Sequence, residues 1–60
     1  MLWWGYKHTN GTYQAKRYFI PLDVQEAHES PFCDIVCGPF EAASREEALA
    51  IVEQRCASVA

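Results

Sequence analysis

The sequence predicts an α+β domain: a three-stranded antiparallel sheet packed in two layers on one C-terminal helix. An N-terminal β-hairpin and a third strand make the sheet, with a short helical turn between strands two and three. Three observations predict it. Asn10-Gly11 separates two runs rich in aromatic and β-favouring residues. Residues 32–37 have the composition of a further strand. Residues 45–57 carry apolar side chains at helical spacing behind a capping box.

The hairpin joins residues 2–9 to residues 12–20. Asn-Gly is the preferred pair for a two-residue type I′ loop, which needs φ > 0 at both positions. Such a loop sets Thr9 opposite Thr12, Lys7 opposite Gln14, Gly5 opposite Lys16 and Trp3 opposite Tyr18. Those residues share one face. His8 with Tyr13, Tyr6 with Ala15, Trp4 with Arg17 and Leu2 with Phe19 share the other. The second face is the more apolar and is expected to meet the core. A slip of one residue would exchange the two faces.

Pro21 ends the second strand, because it offers no N–H to a ladder. Asp23-Val24-Gln25-Glu26 has capping-box spacing and predicts a short helical turn over residues 24–29, stopped by Ser30-Pro31. In the third strand Cys33, Ile35 and Cys37 point one way, and Phe32, Asp34 and Val36 the other. Gly38-Pro39 breaks or bulges it, and residues 40–42 extend it. Ser44-Arg45-Glu46-Glu47 opens the final helix. Its stripe of Ala48, Leu49, Ile51, Val52, Cys56 and Val59 faces the sheet. At about 1.5 Å per residue this helix reaches about 20 Å, enough to cross three strands spaced about 4.8 Å apart.

Sixty residues make a single domain, and so short a chain buries little surface. Its eight aromatic residues supply a dense core instead. The formal net charge is −3, which argues against non-specific binding to nucleic acid or a membrane surface. Lys7, Lys16 and Arg17 nevertheless make the hairpin locally basic. No apolar run has the ~20 residues that a spanning helix needs. Three cysteines at irregular spacing do not form a secreted disulfide framework, so a cytoplasmic setting is expected.

No metal or cofactor is expected. On a strand, Cys33 and Cys37 lie about 13 Å apart, too far to share an ion or a disulfide. With Cys56 they read as small buried hydrophobes between sheet and helix. His8 reads as a rim residue over Tyr13. Neither His8 nor His28 has a local partner that marks a catalytic dyad, so no catalytic residue is assigned and the chain is read as a non-enzyme. Glu46, Glu47 and Glu53 read as a solvated helix face, favoured near its start by the dipole. The candidate binding residues are Trp3, Lys7, Thr9, Thr12, Gln14, Lys16 and Tyr18, the polar hairpin face with an aromatic end. Trp and Tyr are common interface anchors.

Asn10-Gly11-Thr12-Tyr13-Gln14-Ala15-Lys16-Arg17, then Gly38-Pro39-Phe40 and Ser44-Arg45-Glu46-Glu47-Ala48, resemble the three-strands-then-helix module of plant AP2 and integrase arm-binding domains. That resemblance covers roughly residues 5–52. It implies a sheet that enters the major groove, with Lys7, Gln14 and Lys16 at groove-facing positions. In size, charge and aromatic content the chain also looks like the small acidic proteins of phages and prophages, including anti-CRISPR proteins. That similarity implies an inhibitor that covers a surface of a host protein complex, in the host cytoplasm. The first expectation is therefore a protein-binding module of this kind, and the second a sheet-based nucleic-acid binder. A homodimer formed through Trp3 and Tyr18 would occupy the same face.

Overall fold

The computed structural model describes residues 1–59, and side chains as far as Ser58. Five elements follow in chain order: β1 (Leu2–His8), β2 (Tyr13–Arg17), α1 (Pro21–Glu29), β3 (Cys33–Glu41) and α2 (Arg45–Val59). The sheet is antiparallel with order β2-β1-β3, so the N-terminal strand is central. The expected α+β class, hairpin, third strand and C-terminal helix are all present. Among the described residues no helix is long and apolar enough to cross a membrane.

The hairpin register differs from the expected one by a single residue. Trp3 pairs with Arg17, Gly5 with Ala15, and Lys7 with Tyr13. The cause lies in the loop. Gly11 N donates to His8 O at 2.9 Å and His8 N to Thr12 O at 2.7 Å, so three residues, Thr9-Asn10-Gly11, make the turn. Within this turn only Gly11 has positive φ, at 94°, and Asn10 does not share it. This matches a type I turn closed by a glycine in the left-handed region. The Asn10 side chain helps to hold it: Oδ1 accepts from Thr12 N at 3.0 Å and from Thr12 Oγ1 at 2.7 Å.

The slip exchanges the two hairpin faces. Trp3, Ala15 and Phe40 pack with Ala42, Ala48, Val52 and Cys56 into the main core, with Tyr13, Ile35, Cys37, Leu49 and Ile51 around it. Gly5 and Ala15 are the reason this register packs. They form a small cross-strand pair under α2, and a Cβ on Gly5 would lie 2.3 Å from Val52 Cγ2 and 2.4 Å from Gln14 O. With Tyr6, Trp4 and Arg17 turned inward, the helix would have to ride higher and leave voids. Burial of Val52, which is fully enclosed, contributes about 1.5–3 kcal/mol.

α2 has the expected start. Ser44 Oγ accepts from Glu47 N at 3.2 Å, satisfying one of the free N–H groups of the first turn. Ala48, Val52 and Cys56 form the buried stripe. Val59, its expected last member, lies outside the described side chains.

α1 is longer than the expected turn. It begins at Pro21, whose fixed φ suits a first helical position, and Ile20 rather than Asp23 precedes the helix as its N-cap. Asp23 lies inside the first turn, where the dipole favours a carboxylate. β3 runs without interruption through Gly38-Pro39. Gly38 has φ 119°, and a Cβ there would meet Trp4 Cα at 2.8 Å. The register shift beside it sets Gly38 and Pro39 against Trp4 alone. A second shift, between Lys7/Ile35 and His8/Cys33, leaves Asp34 unpaired.

Candidate binding face

Because successive residues of a strand point to opposite sides, Leu2, Trp4, Tyr6 and His8 point away from α2, together with Gln14 and Lys16. Trp4 and Tyr6 stack with centroids 5.8 Å apart and planes at 29°. Lys16 Nζ sits over both rings, 6.0 Å from the Trp4 centroid and 5.9 Å from that of Tyr6. Both distances are within cation–π range. α1 forms the other wall. Asp23, Glu26, Ala27 and Ser30 line a cleft of about 270 Å³ with Trp4, Tyr6, Lys16 and Cys33. So the sheet is flanked on both sides, by α2 along its length and by α1 beside β3, across the cleft from Trp4 and Tyr6.

The expected site residues separate. Trp3 is not on an outer face: it is 7% exposed beneath α2, and its Nε1 donates to Ala42 O at 3.2 Å. Lys7 also lies on the α2 side, paired with Tyr13 and Ile35 and close enough to bear on Cys56. Gln14 and Lys16 do share the outer face. Thr9 and Thr12 are exposed in the loop, where Thr12 braces Asn10. Tyr18 is half-buried beyond the end of β2, its N–H donating to Leu2 O at 3.0 Å. The expected Trp3–Tyr18 pair does not form, because the shifted register gives Trp3 to Arg17. Of the three groove-facing positions that the resemblance implied, Lys7 is on the opposite face from Gln14 and Lys16.

Other expected placements change with the register. His8 stacks on Phe32, with centroids 6.0 Å apart and planes at 17°, and not on Tyr13. Its Nδ1 accepts from Asn10 N at 3.1 Å, so the neutral ring carries its proton on Nε2. Cys37 and Cys56 lie between sheet and helix as expected, but Cys33 lines the cleft on the other side, displaced by the unpaired Asp34. Burial and the neighbouring Cys56 push the Cys37 thiol up from 9.0 to about 11, and burial pushes Cys56 up as well.

One end of this face continues into apolar surface. Phe19 is 70% exposed, Ile20 50% and Leu22 52%, and Leu2, exposed as well, is tied to the residue preceding Phe19 by the Tyr18–Leu2 backbone hydrogen bond. Arg17 lies 5.2 Å over the Phe19 ring. Sequence reasoning missed Trp4, Tyr6, Asp23 and Glu26 as site residues because the register assigned the two rings to the core. The one available signal was the small Gly5 and Ala15, which suit a helix-facing pair. No protein-family model, curated protein or solved structure matches the chain.

Proposed function

We propose that this chain is a non-enzymatic binding module that acts by covering a surface of a protein partner. The observation that carries the reading is the run of large apolar side chains at Phe19, Ile20 and Leu22, exposed beside Leu2 and next to the Trp4–Tyr6 cleft. So much clustered apolar surface on so small a domain is the usual mark of an interaction site. Aromatic rings with a polar rim complete the pattern of an interface anchor. A standard interface covers about 800 Å² per partner. That is about one fifth of the 3959 Å² surface. Directed at a host protein complex, such covering is the action of the phage-type inhibitors that the chain resembles in size and charge.

Nucleic-acid binding through the sheet draws less support. Lys7 and Lys16 lie on opposite faces, and Asp23 and Glu26 stand in the same cleft as Lys16. The test is affinity capture from bacterial lysate, with and without nuclease, comparing the wild type with Phe19→Ser/Leu22→Ser. Both positions are exposed, so the variant should keep its fold. A stoichiometric partner that survives nuclease and is lost from the variant supports the reading. Retention of the partner by the variant, or a catch that disappears with nuclease, overturns it. Sedimentation across a concentration series shows whether the partner is instead a second copy.

A further inference from the structure

We infer that the cleft between α1 and the outer sheet face receives a single cationic side chain, an arginine or lysine presented by the partner. The inference deepens the binding-module reading and rests on it. At about 270 Å³ the cleft is slightly smaller than pockets for whole small molecules, which run from about 300 to 1,000 Å³. It suits one side chain better than a cofactor. Its floor is the stacked Trp4–Tyr6 pair, whose electron-rich faces already hold a cation, the ammonium of Lys16. Its opposite wall carries Asp23 and Glu26, neither of which makes an ion pair or side-chain hydrogen bond among the described residues. Two carboxylates against one ammonium leave the cleft net negative.

A further donor completes the site. Trp4 is only 6% exposed, and its indole N–H has no hydrogen-bond partner among the described residues. No partnerless side-chain nitrogen or oxygen is fully enclosed there, so this N–H is still reached by solvent. Trp4 lines the cleft, and the acceptor assigned to this N–H is a carbonyl of an incoming backbone. A guanidinium on the rings, a carboxylate beside it and a backbone carbonyl on the indole together describe an arginine-bearing peptide. In the unbound protein Lys16 occupies the ring faces as an internal competitor.

The test uses a short Gly-Arg-Gly peptide titrated into the full chain, followed by the Trp4 indole and Tyr6 ring signals in NMR. The citrulline peptide, neutral but of the same shape, is the control. The expected result is a saturable shift at Trp4 and Tyr6 with Kd on the order of 1 mM, absent with citrulline. Asp23→Asn/Glu26→Gln should weaken it about tenfold. Lys16→Met should tighten it about threefold, by freeing the rings. Lys16 is exposed, so that variant keeps its fold. Equal shifts with citrulline, no shift, or loss of binding in Lys16→Met would overturn the inference; the last would mark an anion site instead. Because the probe is a peptide, failure here leaves the partner-capture result standing on its own. Capture of a nucleic acid would sink the binding-module reading without deciding the peptide titration.

Discussion

Gly5→Ala is predicted to destabilise the domain severely. The added Cβ would lie 2.3 Å from Val52 Cγ2 and 2.4 Å from Gln14 O. Ordinary carbon contacts lie at about 3.5–4.0 Å, so α2 or β2 must retreat by more than about 1 Å. Gln14 O is backbone of β2 and yields only by distorting the β1–β2 ladder. Val52 is fully buried, so moving it opens gaps along the Ala48–Val52–Cys56 stripe. Overpacking of this kind costs about 1–3 kcal/mol and here falls at the upper end, since one of the two obstacles is backbone. A 60-residue chain at ~0.05–0.15 kcal/mol per residue has about 3–9 kcal/mol in all. Urea unfolding followed by tryptophan fluorescence reads the change. A cycle with Val52→Ala sharpens it: the double variant should be at least about 1 kcal/mol more stable than the sum of the singles predicts. In the register expected from a two-residue loop, Gly5 faces outward and alanine there would be neutral or stabilising. A Gly5→Ala protein as stable as the wild type would refute the packing described here.

Trp3→Ala should cost about 3–5 kcal/mol in the same assay, since Trp3 is enclosed under α2 and bonded to Ala42 O; an exposed Trp3 would cost almost nothing. Gly11→Ala should cost about 1–2 kcal/mol, because its φ of 94° is strained for any residue with a Cβ. Ser44→Ala should lose about 1 kcal/mol with the cap on Glu47 N. The Cys37 thiol, raised from 9.0 to about 11, is favoured in its protonated form by folding. Its contribution to stability is therefore complete below pH 9 and is lost as pH rises toward 11. At pH 8 its alkylation by iodoacetamide should be about 100-fold slower than that of a free cysteine, because the thiolate is that much scarcer. Alkylation at the free-cysteine rate would contradict the enclosed placement.

The parts of the fold legible in the sequence are those with local signals. Asn10-Gly11 announced a hairpin, Ser44 with Glu47 announced a helix start, and the spacing of Ala48, Val52 and Cys56 announced the buried stripe. The register was not local. Asn-Gly serves both a two-residue loop and a three-residue loop with glycine at its left-handed position. The choice between them is made some 20 Å of chain away, where Gly5 and Ala15 must admit Val52. Gly38-Pro39 signals a break or a bulge without deciding between them; the bulge forms because on an edge strand, at a register shift, the missing N–H of proline is tolerated. The candidate site inherited the register. Gln14 and Lys16 remained on an outer face, while Trp3 and Lys7 gave way to Trp4 and Tyr6. The role of Asp23 and Glu26 depends on α1 lying across from those rings, and nothing within residues 21–29 encodes that placement.

Which face α2 covers underlies both the apolar rim and the aromatic cleft, and a methyl NOESY spectrum of the wild-type protein tests it most directly. Cross-peaks are expected from the Val52 methyl groups to Gly5 Hα and the Ala15 methyl, and none to the Tyr6 ring. Cross-peaks from Val52 to Tyr6 and Trp4, with Gly5 silent, would show that the rings belong to the core and that the cleft does not exist.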